Sequence, residues 1–241
     1  MKRILLVVLW AFLLWVFPLS ATSWLQDFFY PVLHTDSWTR LMFDRKLWVY
    51  HVYPTSRSFT FLRRWYTHQE LKQTYWVDKV FINAWYFWWN QQWFFPAWHL
   101  AFDSSLVDPV HCLNDSNLCG MVSIDDLLIS EHAQFTSSPS FSAWPVLMLN
   151  GVVNRSVINA QSHRQRATRR TVLVSTPEWP VFILSQKPRS LPWMLAYIVK
   201  HYGRSLSVIN LDGWSSTTLL SNDPLFMISS QRRLPGFFIL D

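Results

Sequence analysis

From residue 24 onward the apolar positions of this chain recur mainly with period two. Leu47-Trp-Val-Tyr-His-Val-Tyr53 is dense in β-branched and aromatic residues, Ser58–Leu62 alternates, and Val80–Asn83 is a short apolar run. All three predict strands. Pro145–Leu149, Asn150-Gly151 and Val152-Val153 predict a hairpin, because Asn-Gly readily supplies the positive φ angles of a tight turn. Thr171–Ser175 and Val181–Ser185 flank Thr-Pro-Glu-Trp-Pro and predict a second hairpin. The period then becomes helical: Leu191, Met194, Leu195, Ile198, Val199 and Tyr202 share one face. Ser190 caps that helix, Pro192 sits in its first turn and Gly203 ends it. Leu206–Leu211 and Gly236–Leu240 predict two further strands. Residues 101–142, with scattered Asp, Ser and Pro, predict mostly loop. Strands outnumber helices and hairpins imply antiparallel pairing. The expected class is α+β, a mostly antiparallel or mixed sheet with few helices, in a single domain after an N-terminal signal segment.

That segment has its own pattern. Lys2 and Arg3 precede an unbroken apolar run from Ile4 to Phe17, then Pro18 and the small residues Ser20, Ala21 and Ser23. This is the order of a secretory signal. The run is shorter than the roughly 20 apolar residues of a membrane-spanning helix. Residues 1–23 are therefore expected to be a signal peptide, with an uncleaved anchor as the alternative, and 24–241 the folded domain. The protein is expected to be exported, periplasmic or secreted, and to meet a membrane only through its N-terminal segment. Cys112 and Cys119 bracket a short polar loop, and in an oxidising compartment two lone cysteines this close are expected to pair. His111 and His132 stand at no recognised zinc spacing from them, so no metal is expected.

Composition adds two constraints. The chain holds 16 Trp and only 5 Gly, so many aromatic residues must be core and a surplus can line a groove that stacks on sugar rings. Net charge is +6, with no long Lys/Arg run to follow a nucleic-acid backbone. A mildly basic chain suits a phosphate-bearing ligand or the acidic cell envelope. There is no phosphate-binding Gly-rich loop, paired-His metalloprotease motif or dinucleotide fingerprint, and no cofactor is expected. Gly213-Trp-Ser-Ser-Thr217 lacks the final Gly and following helix of a nucleophile elbow.

The informative stretch is Val208-Ile-Asn-Leu-Asp-Gly-Trp-Ser-Ser-Thr217. A strand here sends Asn210 and Asp212 to one side, since alternate residues share a face. The turn beyond offers Gly213 and the hydroxyls of Ser215, Ser216 and Thr217. By local chemistry alone this is either a site for a polyoxygenated ligand or an Asx turn with capping hydroxyls.

The stretch resembles the Asn-Leu-Asp-Gly-Gly-x-Ser-Ser/Thr signature of the phosphodiester glycosidase family, which includes bacterial exopolysaccharide-associated proteins. Three more elements follow the family's order. Ile82-Asn-Ala-Trp-Tyr-Phe87 resembles its Asn-Gly/Ala-Gly-Tyr/Phe-Phe motif, and Arg170-Thr171 its Arg-Thr pair before a hairpin. The helix ending at Gly203 stands where the family has one before the Asp-bearing strand. The resemblance covers roughly residues 45–241. Trp85 and Trp214 replace family glycines, which would narrow the pocket, supply stacking platforms or abolish the family chemistry.

The resemblance implies hydrolysis of a sugar-1-phosphodiester in the cell envelope, with a carbohydrate or phosphoglycan substrate and no nucleic-acid partner. Arg170, with Arg169 beside it in a basic segment that includes Arg164 and Arg166, would grip phosphate bidentately. Asp212 would act as general base or nucleophile. The second carboxylate stays open among Asp103, Asp125 and Asp126. Asn83, Trp85, Asn210, Gly213, Trp214, Ser215, Ser216 and Thr217 would bind substrate. Two other readings use the same residues differently: a non-catalytic envelope glycan-binding protein on this scaffold, and a membrane-tethered interaction protein with an uncleaved leader.

Overall fold

The computed structural model describes residues 32–34, 39–54, 59–62, 66–75, 79–84, 87–89, 94–96, 100–102, 105–107, 120–123, 126–131, 140–159, 166–211, 213–230, 234 and 237–240. Elements are numbered along the chain. One sheet has eight antiparallel strands, ordered β1 (Val32–His34), β2 (Thr39–Asp44), β3 (Val49–Pro54), β16 (Pro180–Arg189), β15 (Thr168–Ser175), β17 (Ser207–Asn210), β13 (Val146–Leu149) and β14 (Val152–Val153). A four-stranded sheet runs β18 (Leu219–Leu220), β5 (Val80–Asn83), β19 (Phe237–Leu240), β4 (Phe59–Leu62). A five-stranded sheet runs β11 (Ile129–Glu131), β10 (Gly120–Ser123), β12 (Ser140–Ala143), β8 (Leu100–Phe102), β9 (Ser105–Val107), and β6 (Phe87–Trp89) pairs with β7 (Phe94–Pro96). The described helices are α1 (His68–Thr74), α2 (Arg155–Ile158) and α3 (Leu191–Tyr202). The class is α+β, as the alternation and the hairpins predict.

Strand alternation sorts the eight-stranded sheet into two faces. Val172 and Val174 of β15, Val181 and Ile183 of β16 and Val208 of β17 pack with Leu191, Met194, Leu195 and Ile198 of α3. Their neighbours Leu173, Phe182, Leu184 and Ile209 pack on the opposite face with Ile82, Phe141 and Phe238 from the two smaller sheets. Each such side chain, fully buried, stabilises the fold by about 1.5–3 kcal/mol. A one-residue slip of β15 would exchange the two faces, so both cores hold its register.

Helix α3 begins where the sequence predicts. Ser190 Oγ accepts the Trp193 N–H at 3.3 Å, and Gly203 closes the last turn at φ 81°, donating to the Val199 carbonyl at 3.0 Å. The β13–β14 hairpin carries Asn150 at φ 48° and Gly151 at φ 82°, the paired positive angles that Asn-Gly favours.

Residues 101–142 depart from the expectation of loop. They contribute β9, β10, β11, β12 and most of β8 to the five-stranded sheet. These strands are three or four residues long, too short to show a period, and they exist because neighbours distant in sequence complete their ladders.

The sequence reading also missed a polar chain beneath α3. Tyr53 Oη and Tyr202 Oη lie 2.7 Å apart, and Tyr202 Oη is 2.6 Å from His51 Nδ1. His51 Nε2 is 2.6 Å from Tyr197 Oη, which donates to Asp44 Oδ2 at 3.4 Å. That last bond orients the rest: Nε2–H donates to Tyr197, so Nδ1 accepts from Tyr202 and Tyr202 from Tyr53. Each buried ring nitrogen and hydroxyl of this His51 network is paired, as burial demands.

No described helix is long and apolar enough to cross a membrane. The expected signal segment (residues 1–23), Cys112 and Cys119 lie outside the described residues.

Candidate functional site

The described family-like residues gather where β15 begins and β17 and β5 end. Asn83, at the end of β5, is 1 % exposed and anchors two chains through one atom: its Oδ1 accepts from Thr171 Oγ1 at 2.8 Å and from the Thr218 N–H at 2.9 Å. The Asn83 N–H in turn donates to the Thr218 carbonyl at 3.3 Å. One side chain thereby ties β5, β15 and the segment after β17 together.

Arg170 is buried, and its surroundings explain how a cation is held there. Its N–H donates to Ser185 Oγ at 2.8 Å, Nε to the Arg189 carbonyl at 3.3 Å and Nη2 to the Arg166 carbonyl at 2.9 Å. The β15–β16 ladder shifts register between Thr168 and Arg170, an irregularity of the kind that re-aims side chains. Arg169 is half-buried and Arg166 exposed.

The turn after β17 is laid against this strand. Leu211 N–H donates to the Thr171 carbonyl at 2.8 Å and Trp214 N–H to the Arg169 carbonyl at 2.8 Å, bracketing Arg170. A Cβ on Gly213 would stand 2.8 Å from the Arg169 carbonyl oxygen and 3.6 Å from Arg170 Cα. Those are backbone atoms of a paired strand and cannot yield cheaply, so glycine is required by close approach. Ser216 N–H closes a four-residue turn onto the Gly213 carbonyl at 3.1 Å, and the first central residue of that turn, Trp214, has φ 60°. Glycine takes that angle with least strain, which accounts for a family glycine at this position. Here the turn survives with an indole that is 66 % exposed.

The remaining positions separate by exposure. Ser215 is half-buried, Ser216 is buried, and Thr217 is wholly buried with no hydrogen-bond partner for its Oγ1. The three hydroxyls read together in the sequence thus do not form one polar surface. Asn210 is fully buried, and its Nδ2 donates to the Leu211 carbonyl at 2.7 Å and to the Trp144 carbonyl at 3.3 Å. Those bonds make its amide a brace for the end of β17. Asp212, Trp85, Asp103, Asp125 and Arg164 lie outside the described residues; Asp126 is half-buried beyond the end of β10, where its Oδ1 accepts the Leu128 N–H at 3.2 Å.

The fold is similar to that of solved structures. The catalytic domain of zebrafish N-acetylglucosamine-1-phosphodiester α-N-acetylglucosaminidase, solved auto-inhibited by its pro-peptide, superposes at TM-score 0.51 and 16 % identity. The match covers 84 % of this chain and 76 % of that one. The two chains share a fold. A hypothetical protein from Synechocystis matches at TM-score 0.48 and 10 % identity, over 87 % of this chain and 60 % of that one. No family model and no curated protein matches the sequence.

The sequence reading missed three contributors to the site. Thr218 supplies the second donor to Asn83, Ser185 replaces a ladder acceptor for Arg170, and the Arg189 carbonyl holds its guanidinium. None has a local signal, since each is defined only by strand pairing. A cavity of about 830 Å³ lies elsewhere, at the opposite ends of β15 and β17 beside Ser175, Ser207 and Arg204. It includes none of the family-like positions. Among the described residues no cluster of His, Cys, Asp or Glu is arranged to hold a metal ion.

Proposed function

We propose that this protein is an exported hydrolase that cleaves a sugar-1-phosphodiester in the cell envelope. The observation that carries the reading is the seating of the Gly213 turn against β15, which brackets the buried Arg170 between two backbone hydrogen bonds. Such a seating is needed when a strand end must hold an acid residue and an arginine in fixed relation, and Asp212 immediately precedes the seated glycine. The name of the zebrafish enzyme sharing the fold supports the same bond type.

In the proposed reaction, water adds to the anomeric carbon and the bond from that carbon to the phosphate oxygen breaks. The bonding pair departs with a phosphate monoester. Asp212 takes the proton from water, or first attacks the sugar itself. Phosphate is a good leaving group, so the main task is stabilising its charge, and an arginine already held by its neighbours does this with little reorganisation.

A binding protein is the second reading, because Nε and Nη2 of Arg170 already serve backbone carbonyls and are not both open to the bidentate phosphate grip expected of this arginine. Release of free sugar from N-acetylglucosamine 1-(methyl phosphate) and related diesters decides between them. Wild-type turnover abolished by Asp212→Asn is the expected result. No turnover by folded wild type or by the Trp85→Gly/Trp214→Gly double variant would leave only binding.

A further inference from the structure

Trp214 is anomalous in three independent ways. Its backbone occupies the left-handed region at φ 60°, where a bulky residue is a steric outlier. Its indole is 66 % exposed, so burial does not repay that strain. The Arg166 guanidinium carbon stands 5.9 Å from the ring centroid, at the outer limit of a cation–π contact. Strained residues kept without a packing reason concentrate at ligand-contact positions.

The surroundings say what the ring faces. Arg166 is exposed and Arg169 half-buried on the same segment, and among the described residues no carboxylate forms an ion pair with either. The position is also fixed: Trp214 N–H is bonded to the Arg169 carbonyl, and the Arg166 carbonyl accepts from Arg170. A flat apolar face and an available cation are therefore held side by side where the Gly213 turn meets the segment before β15. Flat faces of this kind take the C–H side of a pyranose ring, while guanidinium selects carboxylate or phosphate.

We propose that Trp214 and Arg166 form a platform for an anionic sugar, a pyranose carrying a carboxylate or phosphate, at the rim of the site described above. The platform rests on the reading that this site receives a glycan, and it names the class of glycan. It is a feature of this chain in particular, because glycine at 214 would provide neither face nor partner.

Calorimetric binding at low salt tests it with tetragalacturonate and glucose 1-phosphate as the two anionic probes and cellotetraose as the neutral one. At least one anionic probe should bind roughly tenfold more tightly than cellotetraose, and which one does identifies the charged group. Trp214→Gly should weaken that probe roughly tenfold with an unchanged or higher Tm, whereas Trp214→Tyr should retain binding within about threefold. Arg166→Gln should bring the charged and neutral probes to within about twofold of each other. The proposal fails if Trp214→Gly binds like wild type, if its Tm falls by more than about 5 °C as for a packing residue, or if wild type binds neither anionic probe. Binding is the readout, so Asp212→Asn protein serves equally, and absence of turnover would not touch the platform.

Discussion

Asn83 and Thr171, 88 positions apart, are joined by a 2.8 Å hydrogen bond from the threonine hydroxyl to the amide oxygen. That oxygen also accepts the Thr218 N–H, so it is a shared acceptor inside a buried junction of three segments. Asn83→Ala leaves both donors buried and unpaired and should cost about 2–6 kcal/mol, since each orphaned group costs about 1–3. Thr171→Val removes one donor and leaves the oxygen occupied by Thr218, so about 0.5–1.5 kcal/mol is expected. Urea denaturation of the two variants checks the ranking. Equal losses would show that the shared acceptor does not hold the junction.

Gly213→Ala should destabilise the protein by about 1–3 kcal/mol, the usual cost of overpacking, because its methyl would meet the Arg169 carbonyl at 2.8 Å. The turn should also swing away from β15, lowering ligand affinity and turnover together. A variant with normal Tm and normal turnover would show that the close approach does not matter.

Arg170→Lys should lower stability as well as ligand affinity. A lysine cannot supply the forked donors that now reach the Arg189 and Arg166 carbonyls. Each lost charge-assisted bond implies about 1.5–3 kcal/mol. Asp212→Asn, in contrast, keeps shape and should abolish turnover while leaving Tm within about 2 °C. Thermal melts beside single-turnover assays separate the two behaviours.

His51 predicts a pH dependence. Burial, reinforced by His201 nearby, pushes its pKa down to about 3, while the unfolded chain titrates near 6.5. Between those values the unfolded state binds the proton and the folded state does not. The stabilisation is therefore complete above pH 6.5 and is lost as pH falls, by about 1.4 kcal/mol per pH unit. Tyr197, Tyr202, Tyr53, Asp44 and Arg40 are the other ionisable groups around this network. Carboxylates begin to titrate lower down; His68, whose pKa burial also lowers, adds to the slope of unfolding free energy between pH 6.5 and 5, so the difference between wild type and a His51 variant isolates the His51 part. His51→Gln should flatten that slope; an unaltered slope would assign it elsewhere.

Much of the fold was legible because its signals are local. Ser190, Pro192 and Gly203 bound α3 through their own backbone chemistry, and Asn150-Gly151 forms the β13–β14 turn through φ angles those residues accept. Both hairpins needed only nearest neighbours in the chain. The strands between 100 and 143 escaped, since pieces of three or four residues take their conformation from partners supplied by the tertiary fold.

The site divides along the same line. By itself the sequence determined which residue types stand in the Asn210–Thr217 segment and that a turn follows a strand there. Only the tertiary structure decided that the Asn210 amide braces β17, that Ser216 and Thr217 are buried while Trp214 faces solvent, and that Asn83 joins three segments through one oxygen. The physical reason is that a side chain's chemistry is local, whereas its exposure and its hydrogen-bond partners are set by which strands the packed cores bring into register.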